Sequence, residues 1–540
     1  MNVQRRTDQS VRPTKGRNVS TLVRANAWLE DVSDRLNPIL VKETRQALKS
    51  RQFIVTFLLM LISAWLISVF GTLAAGDSLE FGSAGRGLFT SYFVVLAIAI
   101  FVVVPYSAYR GLLNERDQTT LELLNITSLS PRQMIWGKLW SAMAQVFIFY
   151  SAIAPFIAFT SMLQGFDVAL VAFALAISIL VTLCLTMFTL MLAAIPQNKH
   201  LQGLMTAAVF SVLLFVISMI FSAVPVMLME TISFDEKEFW IVVGSIVIAG
   251  LSFFFLFTQI AIAHLTFDAD NRSTGIRVAC SAQFVLYWSA VGFSQYMLGG
   301  GRTYFPSDAA GVLAAWCLIY ITVIGFFAAT EADFVSRRVR RGIPKTPLLR
   351  LLATPFLPGG HRGFLYLLLH LALIPVLVES LFVDLFSSGE WAGRWSITFI
   401  LYVLAFVGIG SAIGRAFRRA SGEVRPMHVR VIILVMFAMG TIVPYLSLLF
   451  GTREYEWMYL MLRVMNPIVM LELVSRANYS NDLATSELVV LGAAAGVGVL
   501  LNVRPMWIGF REIMRQPVIP SSTSKSPAAT QPGTPAEQSA

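Results

Sequence analysis

Charge is what this chain lacks most: 13% of its 540 residues are Asp, Glu, Lys or Arg, against about 25% in an ordinary globular protein. That shortage excludes a water-soluble enzyme, because a folded surface of this size needs far more than 41 basic and 31 acidic side chains to stay in solution. Cysteine is scarce as well. Cys184, Cys280 and Cys317 stand at no metal-ligand or redox spacing, so they read as small apolar side chains. The five histidines, His200, His264, His361, His370 and His428, are scattered and form no HExxH pair. Gly137-Lys138 is the nearest approach to a Walker loop, yet it has neither the upstream glycine nor the following Ser or Thr that lets backbone amides wrap a phosphate. The expectation is a chain with no catalytic residue, no metal and no bound cofactor of its own.

What is present is apolar, 56% of the residues, in runs long enough for a helix to cross a hydrocarbon layer of about 30 Å, which takes roughly 20 residues. Spans are predicted near 52–75, 88–108, 139–162, 168–194, 203–229, 239–265, 278–298, 307–330, 363–386, 395–414, 431–450 and 486–502. The first is too long for a signal-peptide core and reads as a retained span. The fold class is therefore all-α, a polytopic membrane protein with about twelve transmembrane helices. Of the 41 Lys and Arg, 34 fall on the side of the N-terminus. The positive-inside rule then predicts a multi-pass protein of the cell (inner, cytoplasmic) membrane with both termini in the cytoplasm. The net charge of +10 reflects this asymmetry and contact with the lipid bilayer, so no nucleic-acid partner is expected.

Two stretches break the pattern. Residues 456–474 are apolar but carry Arg463, Pro467 and Glu472, which suggests an interfacial or re-entrant segment; a full crossing would make thirteen spans and move the C-terminus outside. Residues 517–540 hold Pro, Ser, Thr and Ala with no aromatic side chain, so a disordered tail is expected.

Two predicted cytoplasmic segments carry more information. Asn37 to Arg51 reads NPILVKETRQALKSR directly before the first span. Asn37 suits an N-cap and Pro38 the first helical position, where its missing N–H costs nothing. Leu40, Thr44, Ala47 and Leu48 share a face, while Lys42, Arg45, Lys49 and Arg51 supply cations. That is an amphipathic helix along the membrane surface, or a basic flank that only anchors the first span. Asn114 to Lys138, between spans two and three, reads NERDQTTLELLNITSLSPRQMIWGK. Thr119 with Glu122 matches one capping box, and Ser130 with Gln133 matches another, reinforced by Pro131. Glu115, Arg116 and Asp117 precede an apolar ridge of Leu121, Leu123 and Leu124. The ridge could dock in a groove of a soluble partner; the plainer reading is a well-capped loop.

In this order around the first span, the two segments resemble the permease subunits of type-2 ATP-binding-cassette (ABC) exporters, over about residues 37–265. The elbow helix of that family is matched by Asn37, Pro38, Lys42, Glu43 and Arg45. Its ATPase-coupling loop is matched within 110–138 by Glu115 and Arg116, by Thr120, Leu121, Glu122, Leu123 and Leu124, by Ser130 and Pro131, and by Gly137 and Lys138. The resemblance implies a transport permease rather than an enzyme, with ATP and Mg held on a separate ABC ATPase subunit. It also implies a second permease copy or a related membrane subunit, and the sequence selects neither of these, nor a substrate.

The expected organisation is a polar basic segment over 1–36, the elbow helix over 37–51, a six-span permease-like domain over 52–265, a second six-span region of unassigned role over 266–516, and the tail over 517–540. A fused permease pair should repeat the elbow and coupling motifs near spans seven to nine, but the basic loop from Glu331 to Arg362 carries neither. Asn466-Pro467-Ile468 echoes Asn37-Pro38-Ile39 without the cationic helix that follows there. Span nine holds His370 and Glu379, a possible intramembrane polar site, since a charge in hydrocarbon costs several kcal/mol unless paired or wet. On that site rests the alternative of an ion-coupled secondary transporter. A polytopic membrane enzyme acting on lipids is a third reading, which would need convergent His, Asp or Glu at one membrane face.

Overall fold

A computed structural model describes residues 38–76, 84–117, 130–161, 163, 168–195, 199–229, 234–267, 270–297, 307–333, 335–381, 391–421, 424–449, 463–475 and 481–515. Asn37, the stretch from 118 to 129 and the tail from 517 lie outside them. Among the described residues there is no strand. Among the same residues twelve helices are long and apolar enough to cross a membrane, so the chain is an all-α, multi-pass membrane protein. The helices are α1 (Pro38–Leu48), α2 (Arg51–Ala75), α3 (Ala84–Ala97), α4 (Val104–Asp117), α5 (Pro131–Ser161), α6 (Val168–Ala194), α7 (Lys199–Met229) and α8 (Lys237–Leu265). They continue as α9 (Thr274–Met297), α10 (Ser307–Ala329), α11 (Arg337–Arg341), α12 (Pro347–Ala353), α13 (Gly360–Leu381), α14 (Trp391–Ser421), α15 (Pro426–Leu449), α16 (Pro467–Ser475) and α17 (Asn481–Met514). The chain divides into two compact units, residues 1–313 with 377–385, and residues 314–376 with 386–540.

In the first unit, helices that are apolar all round bury one side and turn the other toward lipid. Ile54, Leu58, Ile62, Trp65 and Leu73 of α2 face outward, while Met60 and Ala64 are buried. The core is aromatic: Phe89, Tyr92, Phe93, Phe101 and Phe149 are almost wholly enclosed, and Phe53 of α2 meets Phe149 with ring centroids 5.3 Å apart. Helices α3 and α4 are one continuous rod joined by a π-helical turn, Ile98–Val103. Pro105 follows it and brings no N–H to the ladder. The Pro105 carbonyl also accepts from the side, from Thr189 Oγ1 of α6 at 3.0 Å. Such cross-helix hydroxyl bonds recur at Ser68–Tyr92 (2.7 Å) and Tyr109–Thr206 (3.2 Å). Gln283 of α9 donates to Tyr287, whose hydroxyl accepts Ser252 of α8 at 3.3 Å.

The second unit packs by close backbone approach. A Cβ on Gly408 of α14 would lie 2.8 Å from the backbone of Gly498 of α17, and one on Gly498 would lie 2.5 Å from the Leu404 carbonyl. Small residues at helix contacts are the usual route to packing in lipid, where apolar burial gives no net drive. Asn502, fully buried, donates to the carbonyls of Gly408 (2.8 Å) and Gly498 (2.7 Å). The segment expected to be interfacial or re-entrant is described from Arg463. Its helix α16 has nine residues and rises only about 14 Å, half of a hydrocarbon layer. Asn466 caps it, its side-chain oxygen accepting from Ile468 N (3.1 Å) and Val469 N (3.2 Å). Arg463 is paired at 3.1 Å with Glu487 of α17, which has no exposed surface.

Candidate functional site

The first unit brings together residues of the two segments that carry the resemblance. Helix α1 begins at Pro38, with Leu40, Thr44, Ala47 and Leu48 half-buried and Lys42, Arg45, Lys49 and Arg51 exposed, the two faces expected from the spacing. The chain turns at Lys49 and restarts at Ser50, whose hydroxyl accepts from Phe53 N at 3.2 Å and caps α2. Helix α5 is launched by the capping box foreseen at Ser130 and Gln133. The Ser130 hydroxyl accepts from Gln133 N at 3.3 Å, and the Gln133 side chain accepts from Ser130 N at 2.9 Å, with Pro131 at the first helical position.

Two turns further, Lys138 is 5% exposed. Its ammonium lies 3.1 Å from Glu43 of α1 and 2.9 Å from Glu115 near the end of α4. An isolated buried ammonium would cost several kcal/mol, and two carboxylates at contact distance offset that cost. One cation on α5 thus ties α1 to the end of α4. Gly137 beside it is buried, as is the neighbouring face of Met134, Ile135, Leu139 and Ala142.

The inward turn of Glu43 was not foreseen from the residue pattern, although a signal existed. It stands three residues after Leu40 and four before Ala47, hence on the apolar face. Lys138 likewise falls four after Met134 and four before Ala142. Thr120, Leu121, Glu122, Leu123 and Leu124 lie outside the described residues, as do the Thr119–Glu122 box and the side chains of Arg116 and Glu379. His370 is buried, its Nδ1 bonded to the Tyr366 carbonyl one turn back at 2.8 Å, with the two rings 4.2 Å apart. Its Nδ1 is thus satisfied within its own helix.

A second polar cluster, built from residues that belong to no motif, lies in the second unit. The loop after α10 supplies Glu331 and Asp333 as acceptors for the first amides of α13: Glu331 takes Gly359 N and Asp333 takes His361 N, both at 3.2 Å. Gly359 has φ +131°, a backbone state that favours glycine. Asp333 also pairs with His361 Nδ1 at 2.6 Å and with Arg418 of α14 at 3.6 Å. Burial pushes the Asp333 carboxyl up, but the hydrogen bond and charge of His361, with Arg418 behind them, outweigh it and hold the pKa at about 2. Arg362 and Arg340 share Glu512 at 3.4 and 2.9 Å, and Arg430 donates to Thr330 at 3.1 Å while lying 4.8 Å over the Phe327 ring. The cavity among Thr330, Glu331, Asp333, His361, Arg415 and Arg418 is about 10 Å³, room for one water.

Two apolar clefts have volumes of about 270 and 250 Å³. One is lined by Tyr150, Ile157, Val171 and Leu175, the other by Leu371, Pro375, Ile397 and Leu401. Among the described residues no cluster of His, Cys, Asp and Glu could hold a metal ion. No protein-family model, curated protein or solved structure matches the chain.

Proposed function

We propose that this chain is the membrane-spanning permease subunit of an ABC transporter, an exporter of the second type. In this reading ATP and Mg reside on a separate ATPase subunit, and the permease works beside a second copy of itself or a related membrane subunit, in the cytoplasmic membrane with both termini inside. The observation that supports it most is the contact of Lys138 with Glu43 and Glu115, because these three residues belong to the two segments that carry the family resemblance. The chemistry is mechanical. Closure of the nucleotide-binding subunits would displace the loop between Glu115 and Lys138. The ends of that loop share one ion cluster with α1, so the surface helix and the spans beside it would move together. An ATPase that binds one permease conformation more tightly than another is what drives such a shift.

Pull-down of the tagged protein from its native membrane in mild detergent tests the reading. An ATPase subunit should accompany the wild type and be lost with a Leu123→Asp, Leu124→Asp double variant. Intact wild-type protein that brings down no ATPase overturns the proposal.

A further inference from the structure

The stretch Arg337–Ala353, RRVRRGIPKTPLLRLLA, contains six cations and no carboxylate. It folds as α11, capped by the Ser336 hydroxyl accepting from Val339 N at 3.1 Å, followed by the seven-residue α12. The polarity of α12 is inverted. Leu348, Leu349, Leu351 and Leu352 are 66, 53, 47 and 60% exposed, while Arg350 among them is 6% exposed. Arg350 is held inward by two carbonyls: its Nε donates to Pro344 at 2.7 Å and its Nη1 to Met514, at the end of α17, at 3.2 Å. A helix C-terminus favours a cation there. The charged side chain that could screen the leucines from water is thereby turned away from them. Arg337, Arg341 and Lys345 remain exposed beside them. On the adjoining end of α17, Trp507 and Ile508 are also exposed, with the Arg511 guanidinium 4.9 Å over the Trp507 ring, an arrangement typical of a membrane–water boundary.

Apolar side chains interleaved with cations, with no acid among them, fit one surface well: the boundary between phosphate headgroups and acyl chains in an anionic leaflet. We infer that Arg337–Ala353 is an in-plane anchor that binds anionic phospholipid, its four leucines entering the acyl boundary and Arg337, Arg341 and Lys345 resting on lipid phosphates. The anchor is independent of the permease reading, since it uses none of the same residues. It also gives the basic loop a role that the missing coupling motif left open.

The test uses the full chain with Cys184, Cys280 and Cys317 replaced by Ala and a nitroxide on Leu349→Cys. The protein is reconstituted in vesicles of phosphatidylcholine alone or with phosphatidylglycerol added. Collision with oxygen and with a water-soluble nickel chelate reports the depth of the label. The expected result is a label in the acyl boundary that lies deeper when phosphatidylglycerol is present. That difference should be lost in an Arg337→Gln, Arg341→Gln, Lys345→Gln variant, and lost equally when wild-type vesicles are brought to high salt. A label open to the chelate in both vesicles overturns the anchor. Equal depth in both vesicles overturns the recognition of anionic lipid, and a label shielded from both probes indicates a protein partner and overturns the proposal as well.

Discussion

The two polar clusters, one in each unit, bury charge in different ways. In the first, a single lysine sits between two carboxylates, Glu43 and Glu115, brought from separate helices. In the second, arginines outnumber acids and bind backbone as much as side chains: Arg362 donates to the Pro358 carbonyl at 2.8 Å, Arg415 to Leu501 at 3.3 Å, and Arg350 to Pro344 and Met514. The difference follows from the groups themselves. A lysine ammonium is a compact charge that needs counter-charge at contact, whereas a guanidinium spreads its charge over five donors and can be satisfied by neutral carbonyls at helix ends. The first arrangement depends on three segments arriving together; the second is spread over many weaker contacts.

Lys138→Ala is the severest challenge to that contrast. It leaves two carboxylates facing each other beneath α1, and removal of one partner from a buried ion pair costs about 3–5 kcal/mol. A large fall in the thermal midpoint of the purified protein is expected. Most of it should return when Lys138→Met is combined with Glu43→Gln and Glu115→Gln; a triple variant as unstable as Lys138→Ala would show that packing rather than charge holds the site. Arg350→Ala should cost less, about 1.5–3 kcal/mol for lost charged hydrogen bonds, because the freed carbonyls are neutral. A loss equal to that of Lys138→Ala would erase the distinction between the two clusters.

Asp333→Asn adds a pH signature. The folded-state pKa of about 2 lies below the ordinary 3.8, so the ionised carboxylate contributes roughly 2 kcal/mol near neutrality. The sign follows from the depressed value: the contribution is complete above about pH 4 and fades as pH falls toward 2. Thermal midpoints of wild type and Asp333→Asn should therefore differ most above pH 4 and converge below it. Ser130→Ala should have the smallest effect, about 1 kcal/mol for a lost N-cap. Its test is a modest fall in midpoint, against no change at the exposed Arg132.

The large features were legible in the sequence because they answer to local rules. Twelve spans follow from apolar length, the two faces of α1 from helical spacing, and the start of α5 from Ser130, Pro131 and Gln133. Glu43 and Lys138 were marked as motif residues, and their inward direction could have been read from the apolar positions flanking them. The arginine sites were not legible in the same way, since their partners are carbonyls at Pro344, Pro358, Leu501 and Met514, and a sequence does not show which carbonyls fold leaves free. Gly408 and Gly498 carry no signal that sets them apart from the other glycines of the spans, and their pairing depends on which helix lies opposite. Asp333 and His361 are separated by 27 residues and meet only because α13 begins against the loop after α10.

The π-helical turn at Ile98–Val103 sets the phase of everything beyond it. Such a turn accommodates about one residue more than an α-helix would over the same rise, and each residue of an α-helix advances the side-chain direction by about 100°. Glu115 lies twelve residues past Val103 on the same rod and meets Lys138 only at its present rotation. Winding the same residues as α-helix would swing Glu115 about a quarter-turn or more around the axis and off Lys138, whereas deleting one residue within the turn would let α3 run straight into α4 with Glu115 still aimed. The widened turn midway along the rod thus acts as a rotational offset, and the ion cluster at the end of the rod is aimed from there.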